Sequence, residues 1–161
     1  MSERQEPSGG SVRPPVALAF ATATFIALLI FGLGMLSLLL GEDVIEAPGL
    51  GQIPGVLAVG FATVAFAGSL WAAVRMPAPS FWGAAWTTAA TFIAYLLGVW
   101  LGAVTTGADL AVATAVAGRI ATTWFGVVVA GAALIAAWGG IALVRTRAQR
   151  PRWPWEDEFD E

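Results

Sequence analysis

The sequence predicts an all-α integral membrane protein, a four-helix antiparallel bundle with both termini in the cytoplasm. The 161-residue chain is 58% hydrophobic, has a mean hydropathy of +0.77 and is only 12% charged, whereas soluble domains are about 25% charged. Its apolar residues fall into four long blocks, and none of these blocks contains Asp, Glu, Arg or Lys. Nearly all arginines lie on one side of a membrane that such a chain crosses four times. These observations exclude an ordinary soluble domain and a mostly disordered chain.

The four blocks are long enough to be transmembrane helices. A span needs about 20 apolar residues, and its backbone must satisfy its own hydrogen bonds in lipid, which favours a helix. We therefore predict spans over residues 16–40, 53–74, 81–106 and 122–144. The first block is too long for the apolar core of a cleaved signal peptide, and no small-residue cleavage site follows it.

Turn-forming residues separate the first three blocks. Pro48 and Gly49 lie in the first loop, and Pro54 suits the first turn of the second helix, where its missing N–H is harmless. Two prolines lie between the second and third blocks, and Ser80 suits the N-cap of the third helix. Because this connection is so short, the second and third helices are predicted to be antiparallel.

The segment before the fourth block has two interpretations. In one, Asp109 caps a short helix over 110–117 that lies at the membrane interface. In the other, the fourth helix extends back to Leu110 and carries Arg119 inside a long span, which is costly unless the side chain reaches the interface.

The arginines predict the orientation. The chain has no lysine, and seven of its eight basic residues fall on one side of four alternating spans. The positive-inside rule places that side, with both termini, in the cytoplasm. Arg119 is the one arginine predicted on the other side, where the acidic residues Glu42, Asp43, Glu46 and Asp109 also lie. The spacing of these acids matches no cation-binding loop, so we interpret them as solvated, with Arg119 available to pair with one of them.

Small residues mark the faces on which membrane helices pack. In the third block, one face carries small and hydroxyl-bearing residues, and the opposite face carries bulky ones. The candidate packing residues are Thr87, Thr91, Tyr95, Gly98 and Gly102. The two glycines form a GxxxG pair, which serves either packing within the chain or dimerisation. Tyr95, the only tyrosine, is expected to point into the bundle and to hydrogen-bond another helix.

The first and fourth blocks carry similar stripes of small residues. The stripe of the first block contains Ala19, Ala23, Ala27, Gly34, Ser37 and Gly41. The stripe of the fourth block contains Thr122, Gly126, Val129, Ala133, Ala136 and Gly140. Because alanine is very common in this chain, a single stripe carries less weight than the third block, where the bulky residues also segregate.

The chain lacks the residues on which much membrane chemistry depends. It has no Cys and no His, which excludes disulfides, histidine-ligated haem, thiol chemistry and Ser-His or Cys-His nucleophiles. Small four-helix multidrug exporters are similar in size but depend on a membrane-embedded glutamate, and no predicted span contains one. We therefore predict a protein that is not an enzyme, with no catalytic, metal-binding or cofactor-binding residues, no cofactor and no nucleic-acid partner.

The two tails differ in composition. Residues 1–15 are polar and rich in Ser, Gly and Pro, which predicts disorder. Residues 145–161 form a cytoplasmic tail that begins basic and ends acidic. Its candidate contacts with lipid or a partner are Arg145, Arg147, Arg150, Arg152, Trp153 and Trp155. These residues suit either an interfacial anchor or a docking peptide, since Trp and Arg are enriched at binding hot spots.

A resemblance to a known family rests on three features. They are the four short spans, the loop sequence Glu-Asp-Val-Ile at 42–45 and the closing sequence Arg-Pro-Arg-Trp-Pro-Trp-Glu at 150–156. In these features the chain resembles a family of small uncharacterised four-helix membrane proteins of actinobacteria. The alanine-rich, lysine-free composition is similar to that of proteins from GC-rich genomes. The resemblance implies a multi-pass protein of the bacterial plasma membrane and implies no known activity.

The sequence favours an accessory or interaction protein of the plasma membrane, whose partners are membrane lipids and another membrane protein. The alternative is a small transporter or channel that acts as an oligomer, although the sequence does not reveal the oligomeric state. A polar or water-filled cavity around Thr87, Thr91 and Tyr95 would favour transport, and a dry, close-packed centre would favour the accessory role.

Overall fold

The computed structural model describes residues 13–45, 51–76 and 80–145. Within these ranges the chain forms five α-helices: α1 Pro14–Leu40, α2 Ile53–Val74, α3 Trp82–Thr105, α4 Leu110–Thr122 and α5 Trp124–Arg145. The all-α prediction is therefore confirmed. Four of these helices, α1, α2, α3 and α5, are 22 to 27 residues long and apolar enough to cross a membrane, whereas α4 has 13 residues.

The first helix begins earlier than the sequence predicts. α1 starts at Pro14, although disorder was expected through residue 15, so that expectation is wrong for its last two residues. Proline is compatible with the first turn of a helix because the N–H that it lacks would have no partner there. The helix ends at Leu40, and the following Gly41 has a left-handed φ of 65°, which suits glycine. Residues 1–12 of the predicted N-terminal tail lie outside the described residues.

Between α3 and α5 the structure has a separate short helix. The side chain of Asp109 accepts a 2.8 Å hydrogen bond from the backbone N–H of Val112, so Asp109 caps α4. Thr123 is extended, with φ −109° and ψ 176°, and it separates α4 from α5. Close packing at this bend requires a glycine, since a Cβ on Gly126 would lie 2.5 Å from the carbonyl oxygen of Ile120. The single long fourth helix is therefore wrong, and α4 also continues past residue 117.

The long helices pack in antiparallel pairs. Along α3, Gly83 meets Ala73 of α2, whereas Gly98, further along, meets Ala58, which precedes Ala73. The direction of α2 is thus opposite to that of α3. In the same way, Gly140 of α5 meets Ala21 of α1, and Gly32 of α1 meets Val128 of α5.

Large side chains fill the centre between these pairs. Phe25 of α1 stacks on Phe66 of α2 with ring centroids 4.6 Å apart and planes 8° apart. Both rings are fully buried, and so is Val129 of α5. Tyr95 of α3 is only 2% exposed. Each of the four long helices therefore contributes side chains to one shared core.

Candidate functional site

The face of α3 that the sequence singles out lies inside the protein. Thr87 and Thr91 are fully buried, and Tyr95 is 2% exposed. Gly98 and Gly102 continue the same buried row toward the end of the helix. The opposite face is exposed and bulky, with Trp82 83% exposed and Trp86 74% exposed.

The glycines of this row bring the backbones of α2 and α3 into contact. A Cβ on Gly98 would lie 2.6 Å from Cα of Ala58 and 2.7 Å from the carbonyl oxygen of Leu57. A Cβ on Gly102 would overlap Cα of Pro54. Because both glycines already meet α2 of the same chain, the GxxxG pair serves packing within the chain. We call this the α2–α3 contact.

Within the described part of the chain, the polar groups of the row form no hydrogen bond to another helix. The hydroxyl of Thr91 donates a 2.7 Å hydrogen bond to the carbonyl of Thr87, within α3. The hydroxyl oxygen of Thr87 is buried and has no partner among the described residues. The Tyr95 hydroxyl, which was expected to bond another helix, likewise makes no hydrogen bond within the described part of the chain. The row is therefore a packing face rather than a hydrogen-bonded network.

The second cluster lies where α4 crosses one end of the bundle, which we call the α4 end. Trp100 of α3 donates its indole N–H to the hydroxyl of Thr114 on α4, over 3.2 Å. Near the other end of α4, Arg119 forms a 2.8 Å ion pair with Glu42, which follows α1. Arg119 also donates to the backbone carbonyl of Asp43 over 3.4 Å. α4 thus connects the end of α3 to the end of α1, and the expected pairing of Arg119 with an acidic residue is confirmed.

An open cavity of about 700 Å³ lies at the same end. It is lined by residues that include Asp43, Ile45, Gln52 and Val59. It is separate from the buried row of Thr87, Thr91 and Tyr95, none of which lines it. Among the described residues, no three acidic side chains group closely enough to hold a metal ion.

The opposite end of the bundle, which we call the arginine end, carries Arg13, Arg75 and Arg145. The guanidinium carbon of Arg145 lies 4.5 Å from the ring centroid of Phe81. Phe81 in turn lies 6.1 Å from Trp138, centroid to centroid, with 29° between the ring planes. Arg75 lies 5.2 Å above the ring of Trp71. Each distance is within the range of a cation–π or aromatic contact.

The sequence indicates only part of this arrangement. Arg75 follows Trp71 by four residues, a spacing that places two side chains together on a helix. The contact of Arg145 with Phe81 joins residues far apart in the chain, and no local pattern predicts it. Of the predicted tail contacts, Arg145 is the last residue of α5 and is exposed. The others, Arg147, Arg150, Arg152, Trp153 and Trp155, lie outside the described residues.

Together these features define a class of protein: an all-helical chain with four helices that are membrane-spanning by length and composition. The chain belongs to DUF6121, a family of unknown function whose sequence pattern matches residues 13–161. No curated protein and no solved structure matches the chain. Membership of an uncharacterised family is therefore confirmed, while an actinobacterial origin stays a prediction.

Proposed function

We propose that this chain is a multi-pass protein of the bacterial plasma membrane that acts as an accessory or interaction subunit and not as an enzyme. α1, α2, α3 and α5 cross the bilayer as an antiparallel bundle, with both termini in the cytoplasm. The distribution of charge among the described residues supports this orientation. Arg13, Arg75 and Arg145 lie at one end, and Glu42, Asp43 and Asp109 lie at the other with Arg119. The positive-inside rule assigns the arginine end to the cytoplasm.

The α2–α3 contact is the observation that carries the accessory role. A transporter needs a polar path past its helices, and Thr87, Thr91 and Tyr95 are the buried polar residues of α3 that would line one. Their row is buried, and it continues into glycines whose neighbours on α2 are backbone atoms. Packing of this kind favours a fixed anchor over a channel that opens.

The bundle presents the basic, tryptophan-containing tail at the cytoplasmic surface. Arginines close to an anionic membrane surface gain about 1 kcal/mol each, and tryptophan is enriched at interface hot spots. The tail, residues 145–161, thus binds lipid headgroups and a partner membrane protein.

The topology is testable by cysteine labelling, because the natural chain has no cysteine. A membrane-impermeant maleimide should label Ala111→Cys, on the exposed face of α4, in intact cells. Ser8→Cys and Glu158→Cys should be labelled only after the membrane is opened. Labelling of the two termini from different sides would contradict the four-span topology.

The same cysteine-free background tests the transport alternative. A small hydrophilic thiol reagent should fail to modify Thr91→Cys, because this position is fully buried. Modification at a rate similar to that of Ala111→Cys would reveal water beside the buried row. That result would favour a small transporter or channel over the accessory role.

The partner is testable by crosslinking and purification in a mild detergent, followed by mass spectrometry. A chain that ends at Arg150 should lose the co-purifying membrane protein, and Trp153→Ala with Trp155→Ala should weaken its recovery. Trp82→Ala with Trp86→Ala is the matched control, since it removes two exposed tryptophans from α3 and leaves the tail intact. Recovery of every partner with the shortened chain would contradict docking through the tail.

A further inference from the structure

Three helices converge at the arginine end. A Cβ on Gly83 of α3 would lie 2.8 Å from Cβ of Ala73 on α2 and 3.4 Å from Cδ1 of Ile141 on α5. Arg75 follows Ala73 by two residues, which turns it to the outward side of α2, and Arg145 follows Ile141 by one helical turn. This packing brings the two arginines to the same end of neighbouring helices.

Aromatic rings support both arginines. Arg145 lies over Phe81, which is itself stacked on Trp138, and Arg75 lies over Trp71. A guanidinium that rests on a ring through its face keeps the N–H donors at its edge available. Both arginines are exposed, and neither forms an ion pair with a described residue. Arg119 differs, because its guanidinium already binds Glu42.

Among the described residues, the surroundings combine positive charge with exposed apolar surface. All the described acidic residues, Glu42, Asp43 and Asp109, lie at the α4 end. Beside Arg145 and Phe81, Trp138 is 56% exposed and Trp82 is 83% exposed. A ligand that matches this surface carries an anionic group next to a long apolar portion, which is the chemistry of an anionic phospholipid.

We propose that the arginine end binds the phosphate headgroups of anionic phospholipids, with Arg75 and Arg145 as two separate points of contact. Arginine suits this role because its planar N–H donors match the oxygens of a phosphate group. Phe81 and Trp71 orient the two guanidinium groups, and the acyl chains lie along the exposed tryptophans. The inference rests on the proposed membrane location. It adds that residues of the bundle, and not only those of the tail, bind anionic phospholipids.

Native mass spectrometry of the full chain in detergent tests this site. The protein is mixed with phosphatidylglycerol or with phosphatidylcholine of the same acyl chains, and the retained lipid is measured. The wild type should retain phosphatidylglycerol preferentially. Arg75→Gln with Arg145→Gln should weaken that retention by about twentyfold to thirtyfold, at about fivefold for each arginine, and leave retention of phosphatidylcholine unchanged.

Arg119→Gln is the control matched to each single variant, Arg75→Gln or Arg145→Gln, because it removes one positive charge from the α4 end. Its retention of phosphatidylglycerol should equal that of the wild type. Equal losses in Arg119→Gln and in the single variants would overturn the site in favour of a general effect of net charge, and so would full retention by the double variant. Displacement of the lipid by inorganic phosphate alone would overturn a lipid as the ligand.

Phe81→Ala tests the aromatic support with every charge in place, and it should weaken retention of phosphatidylglycerol by a few-fold. Should the double variant fail to fold, as judged by circular dichroism, the single variants Arg75→Gln and Arg145→Gln provide the same test. If the lipid site fails while the labelling pattern and the tail-dependent partner persist, the proposed function stands without it.

Discussion

The α2–α3 contact and the attachment of α1 are built in different ways. α2 and α3 meet backbone to backbone at Gly98 and Gly102, with no side chain between them. α1 instead packs through side chains such as Phe25, which stacks on Phe66. In the most apolar 18-residue window of each helix, 39% of residues are buried in α3 but only 17% in α1. α1 therefore lies at the edge of the protein.

This difference determines where the fold tolerates change. In lipid, helices associate through close van der Waals packing rather than through a hydrophobic driving force between them. A backbone contact accommodates an added atom only if the two helices move apart, which loses close packing along the contact. A side-chain contact accommodates part of the added volume by repacking, and an exposed position has no neighbour to displace. We therefore expect substitutions to be costly in the α2–α3 contact and mild along the exposed face of α1.

The largest expected effect is that of Gly98→Val. Its side chain would meet Ala58 and Leu57 at the backbone, so we expect a loss of about 3 kcal/mol in the free energy of unfolding, the upper end of typical overpacking costs. Gly34→Val, on α1, is the matched substitution, since nothing lies within 4 Å of a Cβ at that position. It should change stability by about 0.5 kcal/mol or less, and in the favourable direction, because valine is a better helix former than glycine.

Denaturation in detergent, followed by circular dichroism, measures both variants. The smaller change Gly98→Ala should give an intermediate loss and keeps the comparison informative if Gly98→Val does not accumulate. Equal stability of the two valine variants would mean that α2 and α3 are not in backbone contact.

The same contrast explains which packing faces the sequence predicts correctly and which it does not. The predicted row on α3 is buried from Thr87 to Gly102, and on α5 the predicted stripe from Gly126 to Gly140 is buried as well. On α1 the predicted stripe is wrong. Ala19, Ala23, Ala27 and Gly34 are exposed, and the buried residues are Ala17, Ala21, Phe25, Leu29 and Leu33.

The reason lies in what surrounds the small residues. On α3 the bulky side chains occupy the opposite face, which gives a second and independent indication of the buried side. On α1 alanines occur on both faces, and the face that packs is chosen by Phe25 and its stacking partner Phe66. That partner lies on another helix, so the pattern of α1 alone cannot reveal it. The contact between Arg145 and Phe81 was unpredictable for the same reason.

Arg119→Gln tests the second attachment of α1, the ion pair with Glu42. The side chains of Arg119 and Glu42 are 29% and 50% exposed, so water screens much of their attraction. We expect a loss of about 0.5 kcal/mol, within the range of exposed ion pairs. The difference from the wild type should shrink at high salt.

A double-mutant cycle with Glu42→Gln isolates the ion pair from other effects of Arg119. The two substitutions together should cost less than the sum of the two alone. Strict additivity would show that α4 and the end of α1 are held by other contacts.

The smallest expected effect is that of Tyr95→Phe, within the α2–α3 side of the comparison. An interhelical hydrogen bond in a membrane protein contributes about 0.6 kcal/mol on average, and within the described residues the Tyr95 hydroxyl forms none. Its removal should therefore cause no measurable loss of stability. Tyr95→Ala removes the buried ring as well and should be clearly destabilising, because it leaves a cavity in the core. A loss of about 0.6 kcal/mol in Tyr95→Phe would show that the hydroxyl bonds another helix, and the buried face of α3 would then owe part of its stability to polar bonding rather than to packing alone.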